Sequence, residues 1–337
     1  MTSQPIRWGL LSTARILRRF IPALRKAPKS ELRAVASRDP ARAAACAAQY
    51  QIPHSYTSYE ALLADPEIDA VYLALPNHLH AEWAVRAVSA GKHVLCEKPL
   101  ALSASEVDAI ARAAKSHQRH VVEAYVHLHH PQTPLVRQVL QGGAIGPVAL
   151  IRGGMRFRVT DPSNIRLDPT RGGGSLWDVG CYPVSMLLYL AGSLPAEVSA
   201  FQQLGPAGVD TGFVGQLRFE HSALGGAFLA QIDCGLASPF RETLECVGER
   251  GSLVPLSPFR AGIDGAPAGY TLLVEGQPSQ SIDTPTADPF VAEVTAFETL
   301  LLEQSPPAVP LALSRDVIAV LEALYRSARN GGEPVRL

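Results

Sequence analysis

Apolar residues in the first 125 positions fall in short unbroken runs, separated by stretches where they recur every three or four residues. The runs at 6–11, 32–37, 70–75, 93–96 and 120–123 predict buried strands; the stretches at 14–26, 40–50, 58–63, 81–89 and 103–117 predict helices. Ser58 stands as a side-chain cap before the third helix, with Glu60 two positions on. Strands alternating with helices of this length need crossover connections, so the fold class is α/β, opening with a Rossmann-type, doubly wound parallel sheet. Beyond about residue 145 the texture changes. Strand-like stretches at 148–157, 197–203, 212–219, 226–234, 241–247 and 270–275 follow one another through Gly, Pro and Asp turns, and helical periodicity returns at 174–190, 288–302 and 314–329. That pattern predicts a C-terminal α+β domain with a large open, mostly antiparallel sheet, and a division of the chain into 1–125 and 126–337.

A chain of 337 residues, 47% hydrophobic and 18% charged, has apolar material for two cores. Its formal net charge of -1 gives no electrostatic reason for a nucleic-acid partner. The opening Met1-Thr2-Ser3-Gln4-Pro5-Ile6-Arg7 lacks a basic segment leading into an apolar one, and no apolar run reaches membrane-spanning length, so the expected location is the cytoplasm. Cys46, Cys96, Cys181, Cys234 and Cys246 are odd in number and unpaired in spacing, which points to buried reduced thiols rather than a disulfide framework or zinc cage.

Candidate chemistry gathers where the predicted parallel strands end, because ligands of such sheets lie outside the carboxyl ends of the strands. Glu97-Lys98-Pro99 closes the apolar run Val94-Leu95-Cys96 and puts a cation at that edge. After the first strand, the three glycine-type positions of a dinucleotide-binding turn fall on Ser12, Ala14 and Leu17. None is glycine, so an ordinary strand-to-helix turn remains an equal reading, although small residues still permit close backbone approach and the hydroxyls of Ser12 and Thr13 can donate to phosphate. After the second strand come Ser37, Arg38 and Asp39. A carboxylate there suits the ribose of NAD, whereas Arg38 suits the extra phosphate of NADP, with Ser37 adding a hydrogen bond and Asp39 serving as a helix cap. The alternative for Arg38 is a solvated surface cation.

Together with Pro76-Asn77-His78-Leu79-His80, Glu123-Ala124, His130-Pro131-Gln132 and Gly172-Gly173-Gly174-Ser175-Leu176-Trp177-Asp178-Val179-Gly180-Cys181-Tyr182-Pro183, these segments give the chain a nearly full-length resemblance to the Gfo/Idh/MocA oxidoreductases. The resemblance implies a nicotinamide cofactor across the first domain, held by Ser12, Thr13, Ala14, Arg15, Ile16, Ser37, Arg38, Leu75, Pro76, Asn77, His80, Glu97 and Lys98. With Arg38 at the end of the second strand the expected cofactor is NADP rather than NAD, and the resemblance implies a substrate between the two domains, bound by Lys98, His127, Arg166, Trp177, Asp178 and Tyr182. The bond before Pro99 is expected to be cis, and His80 to order the turn beneath the nicotinamide. Many members carry a His followed three residues later by an Asp; this chain has Tyr182 and Ser185 there. That departure resembles the subgroup of glucose-fructose oxidoreductase, dimeric dihydrodiol dehydrogenase and NADP-dependent xylose dehydrogenase.

Oxidising a sugar hydroxyl requires a base at that oxygen. Tyr182 takes this role if Lys98 lowers its pKa from about 10, while Lys98 steadies the developing alkoxide. Asp178, four residues before Tyr182, shares its face if the helix has begun and is assigned to orienting substrate. A core tyrosine is the alternative for Tyr182. His127, His129 and His130 are close in sequence, yet the resemblance runs through them without a metal, so none is assigned. The expected reaction is hydride transfer between an aldose, at its anomeric carbon, and NADP. A dihydrodiol dehydrogenase or sugar transhydrogenase with retained NADP is the first alternative, and a catalytically silent NADP-binding sensor the second. The resemblance also implies a homodimer or homotetramer formed through the C-terminal sheet; Phe213, Leu217 and Phe219 could serve that interface or the helices behind it.

Overall fold

A computed structural model describes residues 4–337 and shows the chain folded as two compact units. The first runs to His129 and takes back Asp288–Leu311; the second comprises His130–Ala287 and Ala312–Leu337. In the first unit, β1 (Ile6–Leu11), β2 (Ser30–Ala36), β3 (His54–Tyr56), β4 (Ala70–Leu73), β5 (His93–Glu97) and β6 (Val121–Ala124) form a parallel sheet in the order β3-β2-β1-β4-β5-β6. This is the doubly wound order, and its direction reverses between β1 and β4. The crossovers are α1 (Leu17–Lys26), α2 (Pro40–Tyr50), α3 (Tyr59–Leu63), α4 (His80–Ser89) and α5 (Ala104–His117), followed by the short α6 (Val126–His129). Their starts follow local chemistry: Asp39 accepts from the amides of Ala41 and Arg42, Ser58 from that of Ala61, and Ser103 forms a reciprocal box with Glu106. Residues of β1 and β4 are buried on both faces, which is why these strands read as unbroken apolar runs.

The second unit begins with α7 (Gln132–Gln141) and contains α8 (Cys181–Ala191). Its sheet comprises β7 (Val148–Arg158), β8 (Glu197–Leu204), β9 (Asp210–Phe219), β10 (Phe228–Gly235), β11 (Ala237–Gly248), β12 (Gly251–Pro255), β13 (Gly269–Val274), β14 (Gln280–Asp283) and β15 (Val335–Arg336). The order is β14-β13-β12-β11-β7-β10-β9-β8-β15, antiparallel throughout except for the parallel pair of β7 and β10. One face is covered by α8 and by α10 (Leu311–Arg329), introduced after α9 (Pro289–Glu303) in the chain. Phe213, Leu217 and Phe219 are buried on that covered face, so they belong to the helices behind the sheet. Phe201, Val214 and Leu229 alternate with buried neighbours and, with Leu273, stand exposed on the other face, interspersed with polar residues such as Arg152, Gln216 and Gln231.

Helix α9 belongs to the first unit although the chain reaches it after most of the second. Phe297 lies 5.1 Å from the ring of Trp8, which meets Phe20 edge-on at 6.0 Å; Phe20 stacks on Tyr72 at 3.6 Å. The Trp8 indole N–H donates to Ser30 Oγ (3.0 Å), and Ser30 Oγ and the Lys29 amide both donate to Glu298 Oε1 (2.7 and 2.9 Å). Burying Phe297 alone contributes roughly 2–3 kcal/mol.

Several boundaries differ from the expected ones. Helix α1 starts at Leu17 rather than residue 14, because residues 12–16 form the turn out of β1. Strand β10 starts at Phe228 rather than 226, since Gly225 and Gly226 take φ of 102° and 127°. The expected helix from 174 opens instead as a π-helical turn over Leu176–Gly180 before α8. Pro183 cannot donate to the carbonyl four residues back, and a widened turn accommodates that loss. Strands β3, β12, β14 and β15 and helix α7 carry too little periodicity to be read, the last because Pro131 and Pro134 interrupt it.

Candidate active site

At the reversal point of the first unit, Ser12 leaves β1 with φ +118°, a conformation that glycine adopts freely and L-residues rarely do. Its amide donates to Ala36 O at 3.0 Å. Thr13, Ala14, Arg15 and Ile16 complete the turn; the first amides of α1 close onto it, Leu17 donating to Ala14 O (3.0 Å) and Arg19 to Ile16 O (2.9 Å), so the positive end of the helix faces the turn. At the end of β2, Ser37 is buried and accepts from the Asp39 amide (3.2 Å), while Arg38 is exposed. Asp39 is spent on capping α2, so the carboxylate nearest this strand end is withdrawn and a guanidinium stands in its place.

The edge after β4 and β5 is a braced turn. The Lys98-Pro99 bond is cis. His80, 1% exposed, sets Nδ1 2.7 Å from Pro99 O and Nε2 2.8 Å from Leu75 O, and so bridges the segment Leu75-Pro76-Asn77 to the one carrying Lys98. Burial pushes the His80 imidazole below its usual range, against the pull of the two carbonyls. The Leu100 amide donates to the buried Glu123 Oε1 (2.8 Å), pinning the far side of the turn. Glu97 accepts from the hydroxyl of Tyr72, whose acidity is suppressed by burial and then by the Glu97 charge. His127 is buried behind this edge, its imidazole driven down to about 3 by burial, by His129 and by Lys98. It is therefore neutral at physiological pH.

The second unit assembles the remaining candidates. Arg166 Nε donates to Asp178 Oδ2 at 2.6 Å, and its guanidinium lies 5.5 Å over the ring of Phe157. Asp178 falls inside the π-turn, whereas Tyr182 falls in the first turn of α8, 5.9 Å from the ring of Phe259. Tyr182 O accepts from Ser185 Oγ (3.0 Å). Trp177 is half-buried, 5.4 Å from Tyr325. Ser12–Ile16, Ser37, Arg38, Leu75–Asn77, His80, Glu97, Lys98 and His127 thus lie in the first unit, and Arg166, Trp177, Asp178 and Tyr182 in the second. Among the described residues, no group of three His, Cys, Asp or Glu side chains is arranged to hold a metal ion, and all five cysteines are buried and free.

Residues 6–125 match the family model described as the oxidoreductase family, NAD-binding Rossmann fold, and residues 134–254 match the Gfo/Idh/MocA C-terminal domain. A D-xylose 1-dehydrogenase (NADP(+)) of Haloferax volcanii is 35% identical over 96% of this chain and 98% of its own. The chain belongs to the Gfo/Idh/MocA oxidoreductase family. Among solved structures, a 3-ketoreductase from Actinomadura kijaniata in complex with NADP and TDP-benzene superposes with a TM-score of 0.87, at 28% identity over 96% of this chain and 98% of that one. The aldose-aldose oxidoreductase of Caulobacter crescentus, complexed with glycerol, superposes with a TM-score of 0.88 at 25% identity, covering 99% and 100% of the two chains. Membership in the Gfo/Idh/MocA family makes the protein an oxidoreductase whose relatives act on sugar hydroxyl or keto groups.

Sequence reasoning missed the residues that hold these groups in place. Phe157, Asp210, Phe259 and Tyr325 sit beneath or beside the second unit's candidates, and Tyr72 beneath Glu97. Their partners are distant in the chain, so no local motif marks them.

Proposed function

We propose that the protein is an NADP-dependent sugar dehydrogenase that oxidises an aldose at its anomeric carbon. The observation that carries the cofactor assignment is the withdrawal of Asp39 into a helix cap beside the exposed Arg38. The glycine-like backbone at Ser12 fits a pyrophosphate at the start of α1, and the 35% identical NADP-dependent xylose dehydrogenase supports the same cofactor and substrate class. When bound, the nicotinamide supplies a hydride acceptor. Ser12, Thr13, Ala14, Arg15 and Ile16 receive the phosphates, Ser37 and Arg38 the adenosine end, and Leu75, Pro76, Asn77, Glu97 and Lys98 the nicotinamide half. Tyr182 takes the proton from the sugar hydroxyl at its phenolic oxygen, and the Lys98 ammonium stabilises the negative charge that develops there. Asp178, restrained by Arg166, orients a neighbouring hydroxyl, with Trp177 beside it.

The test mixes cofactor-free protein with NADP or NAD and a panel of aldoses, polyols and dihydrodiols, reading reduced-nicotinamide absorbance. Turnover with one aldose and NADP is expected. Lys98→Met and Tyr182→Phe should each lose on the order of 100-fold or more in kcat while NADP still binds; near-normal turnover by either variant removes that residue's role. Likeness to the aldose-aldose oxidoreductase favours a second reading, transfer between two sugars on retained NADP, which predicts reduction of bound NADP by one sugar and its reoxidation by another. Binding of NADP without turnover on any sugar would leave a sensor. The exposed Phe201, Val214 and Leu229 on the second unit's sheet support a homodimer or homotetramer paired through that face. Val214→Glu with Phe201→Glu should then give a monomer in sedimentation, and an unchanged mass would count against that pairing.

A further inference from the structure

The glycine-rich segment enters its π-turn without a local side-chain cap. The acceptor comes from elsewhere. Asp210, the first residue of β9 and 3% exposed, accepts at Oδ2 from Ser175 Oγ (2.6 Å) and from the Leu176 amide (2.8 Å), and at Oδ1 from the Tyr325 hydroxyl (2.6 Å). The Leu176 amide is one of the donors that a helix start leaves unsatisfied, so a carboxylate behind the turn replaces the usual cap. Gly174 passes over this carboxylate with φ +122°, and a Cβ there would lie 2.2 Å from Asp210 Oδ1 and 2.7 Å from the Tyr325 oxygen. The glycine is therefore required by Asp210 from below. Gly174 also ties two candidates together: its amide donates to Arg166 O (2.9 Å) and its carbonyl accepts from the Asp178 amide (3.1 Å). Tyr325 carries the ring against which Trp177 rests.

We infer that Asp210 is a positioning residue, whose carboxylate clamps the turn that presents Trp177, Asp178 and Tyr182 and thereby sets the aim of the site. The assignment of consequences to catalysis rests on the dehydrogenase reading; the clamp itself does not. Burial raises the Asp210 carboxyl and the donated hydrogen bonds draw it back. Asparagine preserves part of the clamp, because its oxygen can accept from the fixed Leu176 amide while its NH2 meets a Tyr325 hydroxyl free to turn. Alanine strands all three buried donors.

The test compares Asp210→Ala, Asp210→Asn and Ser175→Ala as full-length, NADP-loaded protein. In the absence of sugar, hydrogen exchange over residues 172–182 should quicken at least tenfold in Asp210→Ala and less in the other two, with exchange over residues 6–125 unchanged. With the aldose found active, Asp210→Ala should lose about 100-fold in kcat, as expected for a misplaced reacting group, with NADP affinity within twofold. Asp210→Asn should recover at least tenfold of that loss. The pH profile of kcat should also change shape, whereas mere loss of folded protein would scale it without moving it. If Asp210→Ala does not fold, Ser175→Ala and Asp210→Asn carry the same comparison at smaller amplitude. Unquickened exchange over 172–182 in the folded variants overturns the clamp whether or not any sugar is turned over. Quickened exchange with unaltered kcat and pH profile overturns the positioning role.

Discussion

Ser12 adopts a backbone angle that costs an L-residue roughly 1–3 kcal/mol, at the position where a dinucleotide-binding turn ordinarily has glycine. Ser12→Gly should relieve that strain and, after the entropy that glycine surrenders on folding, stabilise the protein by about 1 kcal/mol in urea unfolding. A destabilised variant would mean that the hydroxyl contributes more than the strain costs. The same residue explains why the turn was only half legible: its position follows from strand length, but a serine there says nothing of the conformation it accepts. Asp39 was legible as a cap, and it is one, which leaves Arg38 as the proposed NADP determinant. Replacing Arg38 with Ala should weaken NADP at least tenfold while leaving NAD within about twofold, consistent with loss of a charge-assisted contact to phosphate. An unchanged ratio of the two affinities would remove Arg38 from the site.

Among the elements, the crossovers of the first sheet were legible because both faces of β1, β4 and β5 are largely buried and α2, α3 and α5 open on side-chain caps, whereas α1 and α4 have none. The edge strands β3, β14 and β15 were not, since three, four and two residues hold too few apolar positions to show a period. The π-turn was hidden for another reason: Gly174-Ser175-Leu176-Trp177-Asp178 reads as a helix entry, and only the geometry around Pro183 widens it. Asp210 could not be found locally, because its partners stand 35 and 115 residues away. Helix α9 was predicted, but its attachment to the first unit was not, for periodicity reports that a face is buried and not against what. Phe297, buried against Trp8, is one contact of that attachment. Phe297→Ala, leaving a void beside Trp8, should cost about 3–5 kcal/mol in denaturant unfolding and should loosen β1 and β4 in hydrogen exchange; a loss below 1 kcal/mol would show that α9 docks by other contacts.

Over the whole molecule, burial holds His80, His93, His120, His127, His129 and His130 below their usual range, with His93 and His129 at about 4. The unfolded chain takes up these protons below about pH 6.5 while the folded chain refuses them, so stability is lost as pH falls through that window. Asp210, Glu242, Glu293 and Asp316, pushed up by burial, act in the opposite sense above the usual carboxylate range. The histidines outnumber them. The urea midpoint should therefore drop from pH 6.5 to 4.5, by up to about 1.4 kcal/mol per pH unit for each net proton, and His129→Gln should flatten the slope. A midpoint constant over that range would contradict the sign. The return of Asp288–Leu311 to the first unit has a consequence for synthesis. A ribosome making this chain releases the six parallel strands long before it releases Phe297 and Glu298. At about 5–20 residues per second, the nascent nucleotide fold waits on the order of ten seconds with Trp8 uncapped, while residues 130–287 emerge and pair among themselves. A gene fragment cut at residue 125 would make that interval permanent.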